Sequence, residues 1–321
     1  MKQLNSLVNN TILKIIKIIT FRKLESTILK YFIPPIIFII SQKIETMYKV
    51  YGFSKTFNLL NIKRKKLFYQ HKLHLNHNSI EKRMISELNT NGIATANIYD
   101  FFPDENILSD IQSFFEEKKQ NSESDRVGYF FKYVNSLKIN NENNCINNYV
   151  LNRSLIKISS NYLGLLPVFC GGSLMENFPH KGARISSQLW HRDKHDRKII
   201  KIFLYLTDVD SKNGPFEYIT KTHVNGKFWK KFRTIERLTD SELKGKNSEI
   251  LSYKKICTGK AGDIIFVDTT GIHRGGYVQK GRRKIVDMYH FTKNSNSPKF
   301  FTISDDFIPE NNMIKDFLDY R

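Results

Sequence analysis

Downstream of about residue 165 the chain is written in short apolar runs separated by turn signals. "KIIKIFLYLTDVD" (198–210) is dense in β-branched and aromatic residues, and "SKNGPFEYITKTH" (211–223) is a Gly-Pro turn leading into a second run. "AGDIIFVDTT" and "RRKIVDMYHFT" are two more. Strand-length runs at regular spacing restrict such a chain to an all-β sandwich or barrel. A charged stretch around "TDSELKG", within 228–247, predicts a helical insertion between these strands. Upstream, Asn91-Gly92 marks a turn and 93–98 a short strand. Pro103-Asp104 opens a helix with Asp104 as the expected N-cap and Ile107, Leu108, Ile111, Phe114 and Phe115 as its apolar face. The Asn-rich stretch 135–148 reads as a loop.

A length of 321 residues with 40% hydrophobic and 13% aromatic side chains supports one sizeable core with a smaller appended unit, and excludes bulk disorder. The formal charge is +20, but residues 1–83 hold 16 Lys/Arg against 3 Asp/Glu, so +13 of it lies there. Heavy use of Ile, Lys, Asn, Phe and Tyr, and the lack of any helix-turn-helix, zinc-finger or RNA-recognition pattern, argue against nucleic acid as the partner. Residues 1–50 read as amphipathic helices: Ile12, Ile15, Ile16 and Ile19 recur beside Lys14, Lys17, Arg22 and Lys23. We read them first as an extension packed on the main domain, and second as a segment making peripheral contact with an anionic membrane. Lys14 and Lys17 interrupt the apolar start, so no cleavable signal is expected, and the apolar run 31–40, broken by Pro34 and Pro35, is too short to span a bilayer. Cys145, Cys170 and Cys257 are far apart and odd in number, which fits a reducing, cytoplasmic setting, with or without membrane contact. A boundary near residue 85 divides a basic helical N-terminal extension (1–85) from the main domain (86–321).

Chemistry concentrates in the main domain. In "SQLWHRD" (187–193), His191 and Asp193 are two apart and share one face of a strand, so an imidazole and a carboxylate can meet one ion. His273 follows the apolar strand of "GDIIFVDTTGIHRGG" and can supply a third ligand. Two His and one carboxylate suit non-haem Fe(II) with open positions, and zinc accepts the same set. Arg283, ten residues past His273, opens the next strand, where a guanidinium can grip the far carboxylate of a diacid. Arg282 competes with it, because strand alternation turns only one of the two inward and does not say which.

"SQLWHRD", "FLYLTDVDSKNGPFEYITKTH", "GDIIFVDTTGIHRGG" and "GRRKIV", with "NGIATANIYDFFPDENI" before them, together resemble the phytanoyl-CoA dioxygenase family over about residues 86–295. The resemblance implies a mainly β architecture, a double-stranded β-helix (jelly-roll) core with flanking helices. It implies Fe(II) and 2-oxoglutarate as cofactors, with His191, Asp193 and His273 on the metal and Arg283 on the 2-oxoglutarate carboxylate. Related halogenating enzymes replace the metal carboxylate with a small residue; Asp193 is intact, which implies instead hydroxylation of a C–H bond or a similar oxidation, with release of succinate and CO2. The basic surroundings favour an anionic small molecule as substrate. Three other readings compete: a non-catalytic binding protein of the same fold, a basic nucleic-acid- or membrane-binding protein, and a zinc hydrolase on the same ligands, for which no convincing general base is present.

Other residues have plainer explanations. His71, His74 and His77 recur at helical spacing but lack a carboxylate; His195 lacks an acid two residues on. His180 reads as a loop residue, His223 as structural or at a pocket rim, and His290 as part of the last strand. Asp268 either orients a ligand or caps a strand end, Trp190 and Phe203 are core or pocket wall, and Gly275-Gly276 allows close backbone approach near the co-substrate.

Overall fold

In the computed structural model, residues 58, 61–75, 80–120, 127–128, 130–142, 145–295, 297 and 301–319 are described, all within one unit, Ser54–Arg321. Eleven strands are defined among them: β1 (Ile93–Asn97), β2 (Val127–Gly128), β3 (Phe131–Ile139), β4 (Val168–Asn177), β5 (Ile200–Tyr205), β6 (Phe216–Ile219), β7 (Lys254–Cys257), β8 (Asp263–Asp268), β9 (His273–Arg274), β10 (Arg283–Phe291) and β11 (Phe301–Ile303). The helices are α1 (Ile62–Gln70), α2 (Ile80–Asn91), α3 (Ile107–Gln120), α4 (Cys145–Val150), α5 (Arg153–Leu163), α6 (Trp229–Phe232), α7 (Asp240–Lys246) and α8 (Asn312–Leu318). No helix among the described residues is long and apolar enough to cross a membrane.

The strands form two sheets. The larger runs β1-β8-β5-β10-β4-β3-β11, with β2 on β3; the smaller runs β7-β6-β9. Every pairing is antiparallel except β11 with β3. In β5, Ile200, Ile202 and Leu204 point to one face and are fully buried, while Lys201, Phe203 and Tyr205 share the other. The second face meets the smaller sheet: Phe203, Tyr205, Ile265 and Ile285 pack with Phe216, Tyr218 and Cys257. Helices cover the larger sheet elsewhere, α2 on β1, α3 on β3 and α8 on β4.

The strands expected at 93–98 and in the four downstream runs are all present. The insertion at 228–247 is helical, and α7 begins with a capping box: Thr239 Oγ1 accepts from Glu242 N, and Thr239 N donates to Glu242 Oε2 at 2.7 Å. Asp104 closes a turn onto Asn106 N just ahead of α3 instead of capping it directly, while Ile107, Ile111 and Phe115 are the buried face as expected. The loop expected over 135–148 is not one: β3 continues to Ile139 and α4 starts at Cys145. A register shift between Tyr133 and Asn135 breaks the alternation that would have betrayed the strand. The asparagines tie the intervening turn, with Asn147 Nδ2 donating to Asn140 O and Glu142 O.

Residues just upstream of the expected boundary at 85 are part of this unit. Arg64 of α1 is buried and donates to Leu166 O (2.8 Å), Asp316 O (2.7 Å) and Pro167 O. The amphipathic segment at 1–50 and His77 lie outside the described residues.

His290 belongs to the core. Its Nδ1 meets Ser159 Oγ at 2.8 Å, its Nε2 has no partner, and Phe317 packs edge-on at 5.0 Å. Burial lowers its pKa from 6.5 to about 3. An unfolded histidine takes a proton near 6.5, and the folded one refuses it down to about 3, so stability is lost as pH falls through that window. The slope from this residue is at most ~1.4 kcal/mol per pH unit. Denaturant titrations between pH 7 and 4 should show a shallower pH dependence in His290→Leu than in wild type; identical slopes would remove His290 as the source.

Candidate metal centre

The segment 190–193 is stitched to the turn ahead of β9 by main-chain hydrogen bonds. His191 N donates to His273 O (3.0 Å) and His273 N to His191 O (2.9 Å), while Asp193 N donates to Thr269 O (2.9 Å). Trp190 and Leu238 exchange a similar pair at 2.9 and 2.8 Å. As in any extended segment, His191 and Asp193 then share a side and Arg192 takes the other. Arg192 is buried there, donating to Thr270 O and Phe232 O and stacking 4.0 Å over the Trp229 ring.

The turn that delivers His273 is built by Asp268. Its Oδ1 accepts from Thr270 N (2.9 Å) and Thr270 Oγ1 (2.7 Å), and its Oδ2 accepts from Tyr162 OH (2.5 Å). The capping reading of Asp268 therefore holds. Gly271 is required in the same turn, because a Cβ there would sit 2.0 Å from Tyr218 OH.

The three side chains converge. One ligand atom from each of His191, Asp193 and His273 lies within 4.8 Å of the others, and the two imidazole centroids are 4.3 Å apart. Each histidine binds a carbonyl two residues back through Nδ1: His191 to Leu189 O (2.8 Å) and His273 to Gly271 O (2.9 Å). That contact fixes the tautomer with the proton on Nδ1 and leaves the Nε2 lone pair for a metal. Burial lowers the pKa of His191, and burial with the neighbouring His191 takes His273 down to about 3. Burial opposes ionisation of Asp193, but the Lys201 ammonium and the two imidazoles outweigh it and hold the carboxyl well below the usual carboxylate range. All three groups are thus in their ligating protonation states at neutral pH. Asp193 Oδ2 is buried, and among the described residues its one ionic partner within 3 Å is the Lys201 ammonium, at 2.8 Å. A buried carboxylate oxygen met by a single ammonium, beside two aimed imidazoles, fits a divalent cation.

Register decides which of Arg282 and Arg283 turns inward. Arg283 pairs with Asn177 on β4 and is buried; Arg282 is 58% exposed and reaches Glu176 Oε2 at 3.2 Å. Arg283 donates to Asn177 Oδ1 through Nε (3.2 Å) and Nη2 (2.8 Å), and to Gly214 O through Nη1. Among the described residues no carboxylate pairs with it, although burial disfavours its charge. A guanidinium has five donors and stays charged, so this one is equipped for an anionic ligand. Its strand is not the neighbour of β9, as the short link between them suggested. They stand in different sheets, joined through 214–216: Gly214 holds Arg283, and Phe216 packs 5.7 Å from the His273 ring. Gly276 makes the expected close approach here, since a Cβ would lie 2.1 Å from Pro215 O; Gly275 makes none.

The remaining histidines are elsewhere. His71 pairs with Asp316, His74 packs on Phe68 and Tyr69, His180 meets Gln188 and Tyr277, His195 stacks on Phe291, and His223 meets Asn89 O. Trp190 lies in a separate apolar cluster under α6 and α7, whereas Phe203 faces inward against Phe216. Sequence reasoning missed Lys201. The signal was a lysine alternating with Phe203 and Tyr205 in a strand otherwise too apolar to tolerate one.

A model of the family described as phytanoyl-CoA dioxygenase (PhyH) matches residues 95–284, more than half of the chain and all four residues above. No curated protein matches. Among solved structures, EctD from S. alaskensis with bound Fe aligns over 76% of this chain and 85% of its own, at 14% identity and TM-score 0.51. The epimerase SnoN in complex with Fe3+, alpha ketoglutarate and nogalamycin RO aligns over 68% and 86%, at 11% identity and TM-score 0.50. EvdMO1 aligns over 66% of this chain and only 50% of its own, at 15% identity and TM-score 0.46. At these identities the likeness is one of fold.

An ammonium and a dication compete for one carboxylate. Lys201→Met should therefore bind cobalt(II) more tightly than wild type, by about tenfold, the equivalent of ~1.4 kcal/mol of relieved competition. Calorimetric titration reads this directly, and equal affinities would show that Lys201 does not contest Asp193.

Proposed function

The chain belongs to the phytanoyl-CoA dioxygenase family, and on that premise we propose that it is an Fe(II)- and 2-oxoglutarate-dependent dioxygenase that hydroxylates a C–H bond of a small anionic molecule. One observation carries the reading: two imidazoles tied through Nδ1 and one ionised carboxylate bring their ligand atoms within 4.8 Å of one another. The two facing sheets are read as the halves of a double-stranded β-helix.

His191, Asp193 and His273 would hold the metal, a ligand set that suits Fe(II) and a bound co-substrate. When bound, Fe(II) with 2-oxoglutarate supplies the oxidising chemistry, in which O2 and 2-oxoglutarate yield succinate, CO2 and one oxygen atom for the substrate. Arg283 would hold the far carboxylate of 2-oxoglutarate, with Asn177 and Gly214 fixing the guanidinium plane. Phe203, Phe216 and Ile285 form the apolar wall between this clamp and the triad and exclude water from it. The basic segment within 1–83 suits contact with an anionic membrane surface; binding to phosphatidylserine vesicles that is lost at high salt is the outcome expected of that reading.

Anaerobic addition of Fe(II) and 2-oxoglutarate should produce the visible charge-transfer band of the chelate in wild type and none in His191→Ala. Arg283→Ala should keep Fe(II) but weaken 2-oxoglutarate about 30- to 100-fold, as expected for losing a buried charge-assisted pair worth ~2–3 kcal/mol. A folded wild-type protein that binds no iron would instead favour a non-catalytic binding protein.

A further inference from the structure

The inward side chains of β5 are Lys201, Phe203 and Tyr205, opposite Tyr289, Asp287 and Ile285 of β10. Lys201 and Tyr205 are four positions apart, about 13 Å along the strand. Arg283 lies at the Tyr205 end, beyond Ile285, and Lys201 at the other end, against the triad. 2-Oxoglutarate spans only ~5–6 Å from first to last carbon by ordinary bond lengths. Held by Arg283, it approaches the triad from one side and leaves Lys201 on the other.

Lys201 forms its ion pair with Asp193, and the Asp287 carboxylate acts on it from farther off. Its Nζ is 2.8 Å from Asp193 Oδ2 and 4.8 Å from the centre of the Tyr289 ring. The other carboxyl on this face, Asp287, is already supplied with donors. Its Oδ1 accepts from Ser173 N (2.6 Å) and Ser173 Oγ (2.7 Å), and its Oδ2 accepts from Tyr289 OH (2.5 Å). When a cation takes Asp193, a mostly buried ammonium is left beside a dication, over an aromatic face. That arrangement is costly unless an anion arrives.

We propose that Lys201, flanked by Tyr289, is the substrate's anion-binding subsite. Once the metal engages Asp193, the Lys201 ammonium receives a carboxylate or phosphate of the substrate on the side of the triad away from Arg283. The inference rests on the reading of the metal centre given above and narrows its substrate to a small oxyanion-bearing molecule. The ring of Tyr289 and the methylene stem of Lys201 set the distance from that anion to the metal, so the carbon oxidised lies a few bonds from the charged group.

The test uses full-length protein loaded with cobalt(II), saturated with 2-oxoglutarate, and titrated calorimetrically with acetate and separately with inorganic phosphate. Wild type should bind at least one of the two. Lys201→Met should weaken it about tenfold or more, the loss expected for one charge-assisted hydrogen bond. Lys201→Arg should stay within about threefold, because the charge is kept. Binding of acetate alone assigns a carboxylate substrate and binding of phosphate alone a phosphate ester; binding of both supports the shared oxyanion chemistry. Absence of binding by either probe, or equal binding by wild type and Lys201→Met, overturns the subsite. The cobalt(II) and 2-oxoglutarate titrations that precede the anion distinguish the two levels. If wild type fails there, the metal-centre reading falls and takes the subsite with it. If both variants load normally but ignore residue 201, only the subsite falls.

Discussion

The site depends on two main-chain hydrogen bonds between His191 and His273. They are ordinary antiparallel contacts, yet they join residues 82 positions apart in the chain. Once made, they determine which sides of both segments turn inward. The two imidazoles are then neighbours, Asp193 follows on the same side, and Arg192 and Arg274 are forced to the other. Those two arginines are used there as struts. Arg274 bridges Glu217 and Asp240 and stacks on Trp190, and Arg192 clamps the turn around Thr270. The charges that would repel a cation are thereby spent on the outside of the small sheet.

Electrostatics inside follow from the same placement. Burial keeps both histidines neutral, and the ring nitrogens that do not face the site are tied to carbonyls. The carboxylate survives burial because the Lys201 ammonium sits against it. Arg283 is the converse case, a buried cation met among the described residues by the neutral groups of Asn177, Gly214 and Tyr205. The Arg283 end therefore suits an anion and the triad end a cation, a polarity that matches a metal with a diacid between them.

Much of this was legible in the sequence, and the failures have physical causes. The i, i+2 spacing of His191 and Asp193 was sufficient because any extended segment puts such residues on one side. The choice between Arg282 and Arg283 was not available, since it turns on register against β4, and a slip of one residue exchanges the faces. Lys201 was hidden for the same reason: in "KIIKIFLY" its outward or inward sense is fixed only by pairing with β8 and β10. The strand at 131–139 was hidden by a bulge, which shifts the alternation midway and lets an Asn-rich composition suggest a loop.

The metal ligands and the two inward cations ride on different supports. His191 and His273 are fastened to the small sheet, Asp193 to the turn beside it, and Lys201 and Arg283 grow from the large one. Each ligand is locked to the others by backbone, whereas its distance to Arg283 or Lys201 is set by the apolar packing of Phe203, Phe216 and Ile285 between the sheets. The spacing between the sheets therefore rests on side-chain packing, whereas the placement of His191, Asp193 and His273 relative to one another rests on main-chain hydrogen bonds. Mutations in that apolar filling would tune how well small molecules are gripped, leaving the affinity for the metal itself almost untouched.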